Sequence, residues 1–175
     1  MTDADPDAGT PSRQDPSVDA TSRILVVCTG NICRSPMAAA LLGSLLGNSR
    51  AVESAGLAAC VGEPADPMAI AVMADAGLDI RSHRGRQLDE SMLRTADLVL
   101  AMSTAQRTEV ETRWPWTRGR VFRMGHWDGY DVHDPHGRPA AIFTLTLSLL
   151  DAASRSWADR LKAKSVLPAS AGALS

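Results

Sequence analysis

The chain has 175 residues, 45% of them hydrophobic and 22% charged, which is the composition of one globular domain with a sizeable core. Its formal net charge of −2 gives no reason to expect a nucleic-acid partner, and no apolar run reaches the roughly 20 residues of a membrane span. Three cysteines are too few for a disulfide framework and indicate a reducing, cytoplasmic location.

The two ends of the chain differ from the rest in composition. Residues 1–22 are rich in Asp, Ala, Pro, Ser and Thr, carry five aspartates against the single Arg13, and lack the basic and apolar segments of a secretory signal. Such a segment cannot bury enough apolar surface to offset its ordering entropy, so it is predicted to be a disordered acidic tail. Residues 168–175 are predicted to fray. Residues 23–167 are therefore predicted to form a single domain.

Strand-like and helix-like segments alternate through this domain. The predicted strands are 24–27, 51–54, 97–102 and 121–122. The predicted helices run from Ser35-Pro36 to Gly47, from Asp66-Pro67 to Gly77, over a short turn capped by Asp89, over 104–112, and onward from Pro139. The apolar side of the last helix is assigned to Ile142, Leu145, Leu149, Leu150, Trp157 and Leu161. The alternation predicts an α/β domain with a four-stranded parallel sheet and helices on both faces.

The loop after the first strand reads Cys28-Thr29-Gly30-Asn31-Ile32-Cys33-Arg34-Ser35-Pro36. Five residues separate Cys28 from Arg34, a spacing suited to a cysteine that attacks a phosphate held by an arginine. The helix N-terminus and Arg34 stabilise a thiolate, and the loop amides can surround an anion, with Gly30 permitting tight curvature. Ser35 can donate a hydrogen bond to the sulfur. The loop therefore predicts nucleophilic chemistry on a phosphate or a similar anion.

A phosphate ester also needs a proton for its leaving oxygen. The long segment 123–138 follows the last predicted strand, and active sites of parallel sheets gather at the carboxyl ends of strands. Asp134 precedes Pro135, which stiffens the backbone there, and is a candidate general acid. Asp128 and Asp131 lie in the same segment and remain rival candidates from spacing alone.

These segments resemble the low-molecular-weight protein tyrosine phosphatase family over residues 23 to the final helix, about 140 residues. The early loop and the late Asp134-Pro135 carry the resemblance, together with matching stretches at 54–56, 62–67 and 82–88. The Gly125-His126-Trp127 element is similar to the bacterial branch that serves exopolysaccharide tyrosine kinases. The resemblance implies a flavodoxin-like three-layer sandwich and hydrolysis of phosphotyrosine without a cofactor or metal.

The resemblance also assigns roles to residues. It implies that Cys28 is the nucleophile, that Arg34 binds phosphate, and that Asp134 is the acid and then the base for hydrolysis of the cysteinyl-phosphate. Phosphate binding is assigned to Thr29, Gly30, Asn31, Ile32, Cys33 and Ser35, and support of the loop to Ser54 and His83. Cys33 is expected to form a reversible disulfide with Cys28 under oxidation, as the adjacent pair of the family can. The implied partner is a tyrosine-phosphorylated protein, such as a bacterial tyrosine kinase.

Two positions depart from the family pattern, and both lie at the predicted mouth of the site. His136 stands where an aromatic residue usually follows Asp-Pro, and Cys60 stands on the opposite wall, where relatives often carry Trp or Leu. Both walls are therefore predicted to be less bulky than usual.

Three alternatives remain beside phosphotyrosine hydrolysis. An arsenate reductase needs two further downstream cysteines, and only Cys60 follows Cys33. A protein-arginine phosphatase typically has Thr where this loop has Ile32. A catalytically silent phosphotyrosine-binding module is disfavoured by the intact Cys28, Arg34 and Asp134.

Overall fold

The computed structural model describes residues 22–166, and the side chains of 164–166 are not discussed. Five helices and four strands follow one another as β1 (Ile24–Cys28), α1 (Arg34–Leu46), β2 (Val52–Gly56), α2 (Pro67–Asp75), α3 (Glu90–Thr95), β3 (Leu98–Ala101), α4 (Thr104–Arg113), β4 (Val121–Arg123) and α5 (Ala140–Val166). Residues 1–21 of the predicted tail and the predicted frayed end lie outside the described residues. Ser22, assigned to the tail, is described and is buried.

All four strands pair in parallel, in the order β2-β1-β3-β4. The register places Cys28 opposite Gly56 on one side, while Val27 lies opposite Ala101 on the other. The carboxyl ends of all four strands therefore lie along the same edge, where the loop after β1 and the segment after β4 both begin. The predicted α/β class and four-stranded parallel sheet are confirmed.

Each face of the sheet has its own apolar core, because successive strand residues point to opposite faces. One face is covered by α1, α2 and α5, and its buried strand residues include Ile24, Val26, Leu98, Leu100 and Phe122. The other face is covered by α3 and α4 and includes Leu25, Val27, Val99 and Val121. The prediction of helices on both faces is correct.

The buried stripe of α5 differs from the predicted one. Leu150, Trp157 and Leu161 are buried as predicted, but Ile142 is 38% exposed and Leu145 is 56% exposed. The helix begins its contact with the core through Phe143 and Thr146 and continues through Leu150, Ala153, Ser154, Trp157, Ala158 and Leu161. Because Thr146 and Ser154 are polar but buried, the pattern of apolar residues alone does not identify this buried face. The placement of Ile142 and Leu145 on the apolar side was wrong.

Several predicted boundaries also shift by one or two residues, and two of these shifts lie beside the loop after β1. The first helix begins at Arg34 with Cys33 at its N-cap position, and no side chain caps it. Ser35 is therefore not the cap, because its hydroxyl is used inside the preceding loop. Strand β2 continues to Gly56, since its last residues pair with the end of β1. Asp66 and Asp89 cap α2 and α3 as predicted, each accepting a hydrogen bond from a main-chain N–H in the first turn. Within the part of the chain that the structure describes, no helix is both long and apolar enough to cross a membrane.

Replacing Trp157 by alanine is expected to lower the free energy of unfolding by about 3–5 kcal/mol, as for other large-to-small changes in a core. The ring is fully buried, and its Nε1–H donates to the carbonyl of Met124 at 2.9 Å. Leu145→Ala on the exposed side of the same helix is the matched control and should change stability by less than about 0.5 kcal/mol. Urea unfolding followed by circular dichroism measures both, and equal losses would contradict this assignment of the buried stripe.

Candidate active site

The loop that joins β1 to α1 curls with its carbonyl groups pointing outward. The carbonyl oxygens of residues 28–32 each accept a hydrogen bond from a group outside the loop, namely Leu57 N (2.9 Å), Ala58 N (3.0 Å), Cys60 N (2.9 Å), His83 Nε2 (2.6 Å) and Asp66 N (2.8 Å), in that order. With five successive carbonyls held outward, the loop amides are free to face its interior. Such a run of amides at a helix N-terminus is an anion-binding nest.

Two residues permit this curvature. Asn31 has φ +57°, the only non-glycine residue with positive φ in the described chain, and Asn tolerates this left-handed conformation better than most residues. Gly56 lies beside the loop because β2 pairs with β1, and a Cβ there would come within 2.6 Å of the Thr29 carbonyl oxygen. A side chain at position 56 would therefore push the loop out of its observed path.

A chain of hydrogen bonds ends at the sulfur of Cys28. The amide N–H of Arg86 donates to Asn31 Oδ1 at 2.8 Å, which fixes the orientation of the Asn31 amide. The Nδ2 of Asn31 then donates to Ser35 Oγ at 2.8 Å. Because Ser35 Oγ accepts this hydrogen bond, its own proton is free to point at Cys28 Sγ, 2.9 Å away. The Asn31 N–H lies 3.3 Å from the same sulfur. Two donors thus converge on the sulfur of Cys28.

The predicted supporting residues contact this network. Asn31 Nδ2 also donates to Ser54 Oγ at 3.0 Å. His83 Nε2 lies 2.6 Å from the Asn31 carbonyl oxygen, and since a carbonyl only accepts, Nε2 carries the hydrogen. Burial, with further contributions from the charges of Arg86 and Arg84, lowers the pKa of His83. The ring is therefore neutral at pH 7 and still able to donate to the loop.

Arg34 is buried at the start of α1, and its guanidinium is only partly satisfied by protein. Its NH1 donates to the Val132 carbonyl at 3.0 Å and its NH2 to Asp134 Oδ2 at 2.6 Å. Its buried Nε has no hydrogen-bond acceptor among the described residues. A buried donor without an acceptor is costly, and an oxyanion held in the adjacent nest would supply one.

The three aspartates of the segment after β4 have different environments. Asp134 pairs with Arg34 and its side chain is 48% exposed, so it faces both the loop and solvent. Asp131 accepts from Arg123 and from Thr104 at the start of α4, and although burial alone would raise the pKa of Asp131, these contacts lower it. Asp128 is exposed. Of the rivals, Asp134 is the carboxylate that the structure brings to Arg34, while Asp131 ties the segment to α4.

The two residues predicted to form the walls of the site are both exposed, and their role as walls stays a prediction. Cys60 is exposed, and its sulfur lies 3.6 Å from the position that a Cβ on Gly30 would occupy. The His136 side chain is 62% exposed, and its Nδ1 lies 3.1 Å from Asp66 Oδ2. The His136 amide donates to Asp134 Oδ1 at 3.2 Å. His136 therefore contacts two carboxylates, Asp66 at the start of α2 and Asp134 in the segment after β4.

Cys33 is buried, like Cys28, and neither is in a disulfide. Burial, followed by the carboxylates of Asp66 and Asp134, raises the pKa of the Cys33 thiol far above its ordinary value. Reversible pairing of Cys28 with Cys33 under oxidation stays a prediction.

Sequence reasoning missed two residues that shape the site. Gln106 on α4 donates to Thr29 Oγ1 at 3.1 Å and accepts from the Met102 amide at 3.0 Å, which links the loop to the end of β3. Nothing in the sequence marks this glutamine. Asp66 was recognised as a helix cap, but its second oxygen also faces His136. Only the folded arrangement of α2 beside the segment 131–138 brings those two side chains together.

Residues 23–167 match the family model described as low molecular weight phosphotyrosine protein phosphatase. Among curated proteins, the chain is 47% identical over 141 residues to "Probable low molecular weight protein-tyrosine-phosphatase EpsP" of Ralstonia nicotianae, a match that covers 80% of this chain and 96% of that protein.

Solved structures of phosphatases have folds similar to that of this chain. The tyrosine phosphatase Wzb from Escherichia coli K30, in complex with sulphate, superposes with a TM-score of 0.78 at 38% identity, covering 81% of this chain and 99% of that one. The YwlE arginine phosphatase from Geobacillus stearothermophilus superposes with a TM-score of 0.78 at 33% identity, covering 82% and 94%. The fold is thus common to solved structures of a tyrosine phosphatase and an arginine phosphatase, and it does not by itself distinguish the two substrates.

Proposed function

This chain belongs to the low molecular weight protein-tyrosine-phosphatase family. We propose that Cys28 and Arg34 of its loop 28–35 are the nucleophile and the phosphate ligand, and that Asp134 is the general acid and base. The observation that carries this proposal is the chain of hydrogen bonds from Arg86 through Asn31 and Ser35 to Cys28 Sγ. This chain of hydrogen bonds directs the Ser35 hydroxyl at the sulfur of Cys28, beside the amides of the loop.

In the first step, Cys28 Sγ attacks the phosphorus of phosphotyrosine. The S–P bond forms as the P–O bond to the phenol breaks, and Asp134 gives its proton to the phenolic oxygen. The loop amides of Thr29, Gly30, Asn31, Ile32, Cys33 and Ser35 and the Arg34 guanidinium bind the non-bridging oxygens, where charge is held through the transition state. The unpartnered Nε of Arg34 supports this role, because phosphate is the acceptor that it lacks.

In the second step, water attacks the cysteinyl-phosphate. Asp134, now a carboxylate, takes a proton from that water, the S–P bond breaks, and inorganic phosphate leaves. Ser35 Oγ, 2.9 Å from Cys28 Sγ, donates to the departing thiolate. No metal or cofactor is required for either step, since the nucleophile, the cation and the acid all come from side chains of the chain.

Phosphotyrosine is favoured over phosphoarginine by Ile32. Its Cγ1 lies 3.5 Å from the position of a Cβ on Gly30, so an aliphatic side chain flanks the loop where arginine phosphatases typically carry a hydroxyl. An apolar group suits an aromatic ester and offers no hydrogen bond to a guanidinium. His136 and Cys60 leave the mouth open, so the stacking surface for the phenyl ring is smaller than in typical members.

We expect the protein to hydrolyse a phosphotyrosine peptide with kcat/KM at least about tenfold above that for the matched phosphoarginine peptide. Ile32→Thr should reduce this preference, whereas the control Ile142→Thr on the exposed side of α5 should preserve it. Phosphate release from the two peptides measures the ratio. Preference for phosphoarginine would overturn the assignment in favour of the arginine phosphatases, and tight phosphopeptide binding without turnover would indicate a silent binding module.

The partner proposed for this site is a tyrosine-phosphorylated protein of the cytoplasm. Relatives named EpsP and Wzb are tyrosine phosphatases of bacteria, and the sequence likeness to the exopolysaccharide-linked branch points to a bacterial tyrosine kinase as the substrate protein, with a role in regulating exopolysaccharide.

A further inference from the structure

A cysteine, an aspartate and a histidine converge beside the loop that holds Cys28. The Sγ of Cys33, a carboxylate oxygen of Asp66 and a ring nitrogen of His136 all lie within 4.8 Å of one another. The three residues come from different parts of the chain: the loop after β1, the N-cap of α2 and the segment after Pro135. None of them is the nucleophile, the phosphate-binding arginine or the general acid.

We propose that Cys33, Asp66 and His136 form a zinc site that reversibly inhibits the enzyme. Thiolate, imidazole and carboxylate are the ligand types that zinc takes, and three protein ligands with a solvent molecule complete a four-coordinate shell. Harder cations such as Mg²⁺ prefer oxygen ligands and octahedral geometry, so the donor set selects against them.

The geometry needs only a small closure to bind the ion. At zinc–ligand distances of about 2.0–2.3 Å, ligand atoms on one ion lie about 3.5 Å apart. The His136–Asp66 pair is already at 3.1 Å. The His136 side chain is 62% exposed, so its ring can move toward Cys33, while Asp66 is only 12% exposed.

Asp66 is already held in place. Asp66 Oδ1 accepts from the Met68 amide at the start of α2, and its own amide donates to the Ile32 carbonyl at 2.8 Å. The oxygen that faces His136 is the other one, Oδ2. Outer hydrogen bonds of this kind orient metal ligands and strengthen sites. Zinc coordination displaces the proton of the Cys33 thiol to solvent, as it does for any thiol that binds the ion.

Inhibition follows from the position of His136. Its amide donates to Asp134 Oδ1 at 3.2 Å, and Pro135 lies between the two residues and stiffens the connection. An ion that holds the His136 ring against Asp66 and Cys33 therefore also restrains Asp134, which has to move a proton to the leaving oxygen and then take one from water. The ion further adds a fixed positive charge at the rim, where Asp134 must act as an acid and then as a base.

Cobalt(II) binding tests the site apart from catalysis. The chain contains three cysteines, so Cys28→Ser/Cys60→Ser leaves Cys33 as the only thiol. We expect this inactive double variant to bind one equivalent of Co²⁺ with a sulfur-to-cobalt charge-transfer absorption, and Zn²⁺ to displace the cobalt and abolish that absorption. Adding His136→Phe should weaken Co²⁺ binding at least about tenfold. Asp66→Asn, which keeps the helix cap, should also weaken it.

Two results would overturn the proposal. The first is no charge-transfer absorption in the double variant, and the second is an absorption that His136→Phe leaves unchanged. With the active parent enzyme, micromolar zinc should inhibit p-nitrophenyl phosphate turnover, EDTA should restore it, and His136→Phe should require at least about tenfold more zinc for the same inhibition. Equal zinc inhibition of parent and His136→Phe would show that zinc acts elsewhere, for example on Cys28, and would likewise overturn it.

Discussion

The Cys28→Ser variant is expected to hydrolyse p-nitrophenyl phosphate at least about a thousandfold more slowly than the parent, because a reaction that proceeds through a covalent intermediate loses its route when the nucleophile is removed. The hydrogen bonds from Ser35 and Asn31 are directed at the sulfur of Cys28, and a serine hydroxyl in its place is a much weaker nucleophile than a cysteine sulfur. Steady-state release of p-nitrophenol measures the loss.

The same variant should keep its anion nest, since the five outward carbonyl contacts and the Arg86 contact with Asn31 are made without the Cys28 side chain. Phosphopeptide binding, followed by calorimetry, should therefore survive. Cys60→Ser, which removes an exposed thiol at the rim, should change turnover by less than about tenfold. Rapid quenching of the parent should yield a phosphate adduct on the peptide that contains Cys28. Turnover of Cys28→Ser at the parent rate would refute the nucleophile.

The sequence was sufficient for the sheet and for most of the helix ends. Short apolar runs predicted four buried strands, and caps such as Asp66 and Asp89 marked helix starts because a carboxylate at an N-cap has a local hydrogen-bonding role. The buried stripe of α5 was not predictable in the same way. Thr146 and Ser154 are buried on that stripe while Leu145 is exposed, and which face turns inward is decided by packing on α1 and the sheet.

For the site, sequence reasoning found the residues of the loop because a cysteine and an arginine at fixed spacing lie on one continuous segment. Spacing alone does not show which of Asp128, Asp131 and Asp134 is the general acid, and the family resemblance is what favours Asp134. In the structure, Asp131 is bonded to Arg123 and Thr104, and Asp134 to Arg34. A contact between segments that are distant in the chain leaves no recognisable pattern in the local amino-acid sequence. For the same reason the Gln106 contact with Thr29 was not anticipated.

Asp134→Asn is expected to lose about a hundredfold or more in kcat on a phosphotyrosine peptide, the usual contribution of a general acid, and clearly less on p-nitrophenyl phosphate. The p-nitrophenolate ion leaves without a proton, whereas the tyrosine oxygen needs one. Asparagine has nearly the same shape, and its oxygen can still accept from Arg34 NH2, which lies 2.6 Å from Asp134 Oδ2. The change therefore removes the proton donor with little effect on phosphate binding, and KM should move much less than kcat.

Asp131→Asn is the matched control, because it alters another carboxylate of the same segment. Arg123 and Thr104 hold Asp131 away from Arg34, and they are also the reason that its pKa is lowered. Its loss should reduce stability while leaving the ratio of the two substrates' kcat values close to that of the parent. If Asp131→Asn rather than Asp134→Asn widened the gap between phosphotyrosine and p-nitrophenyl phosphate, the proton would have to come from Asp131. In that case the segment after β4 would have to rearrange on substrate binding, since Asp131 is tied to α4 in the structure described here.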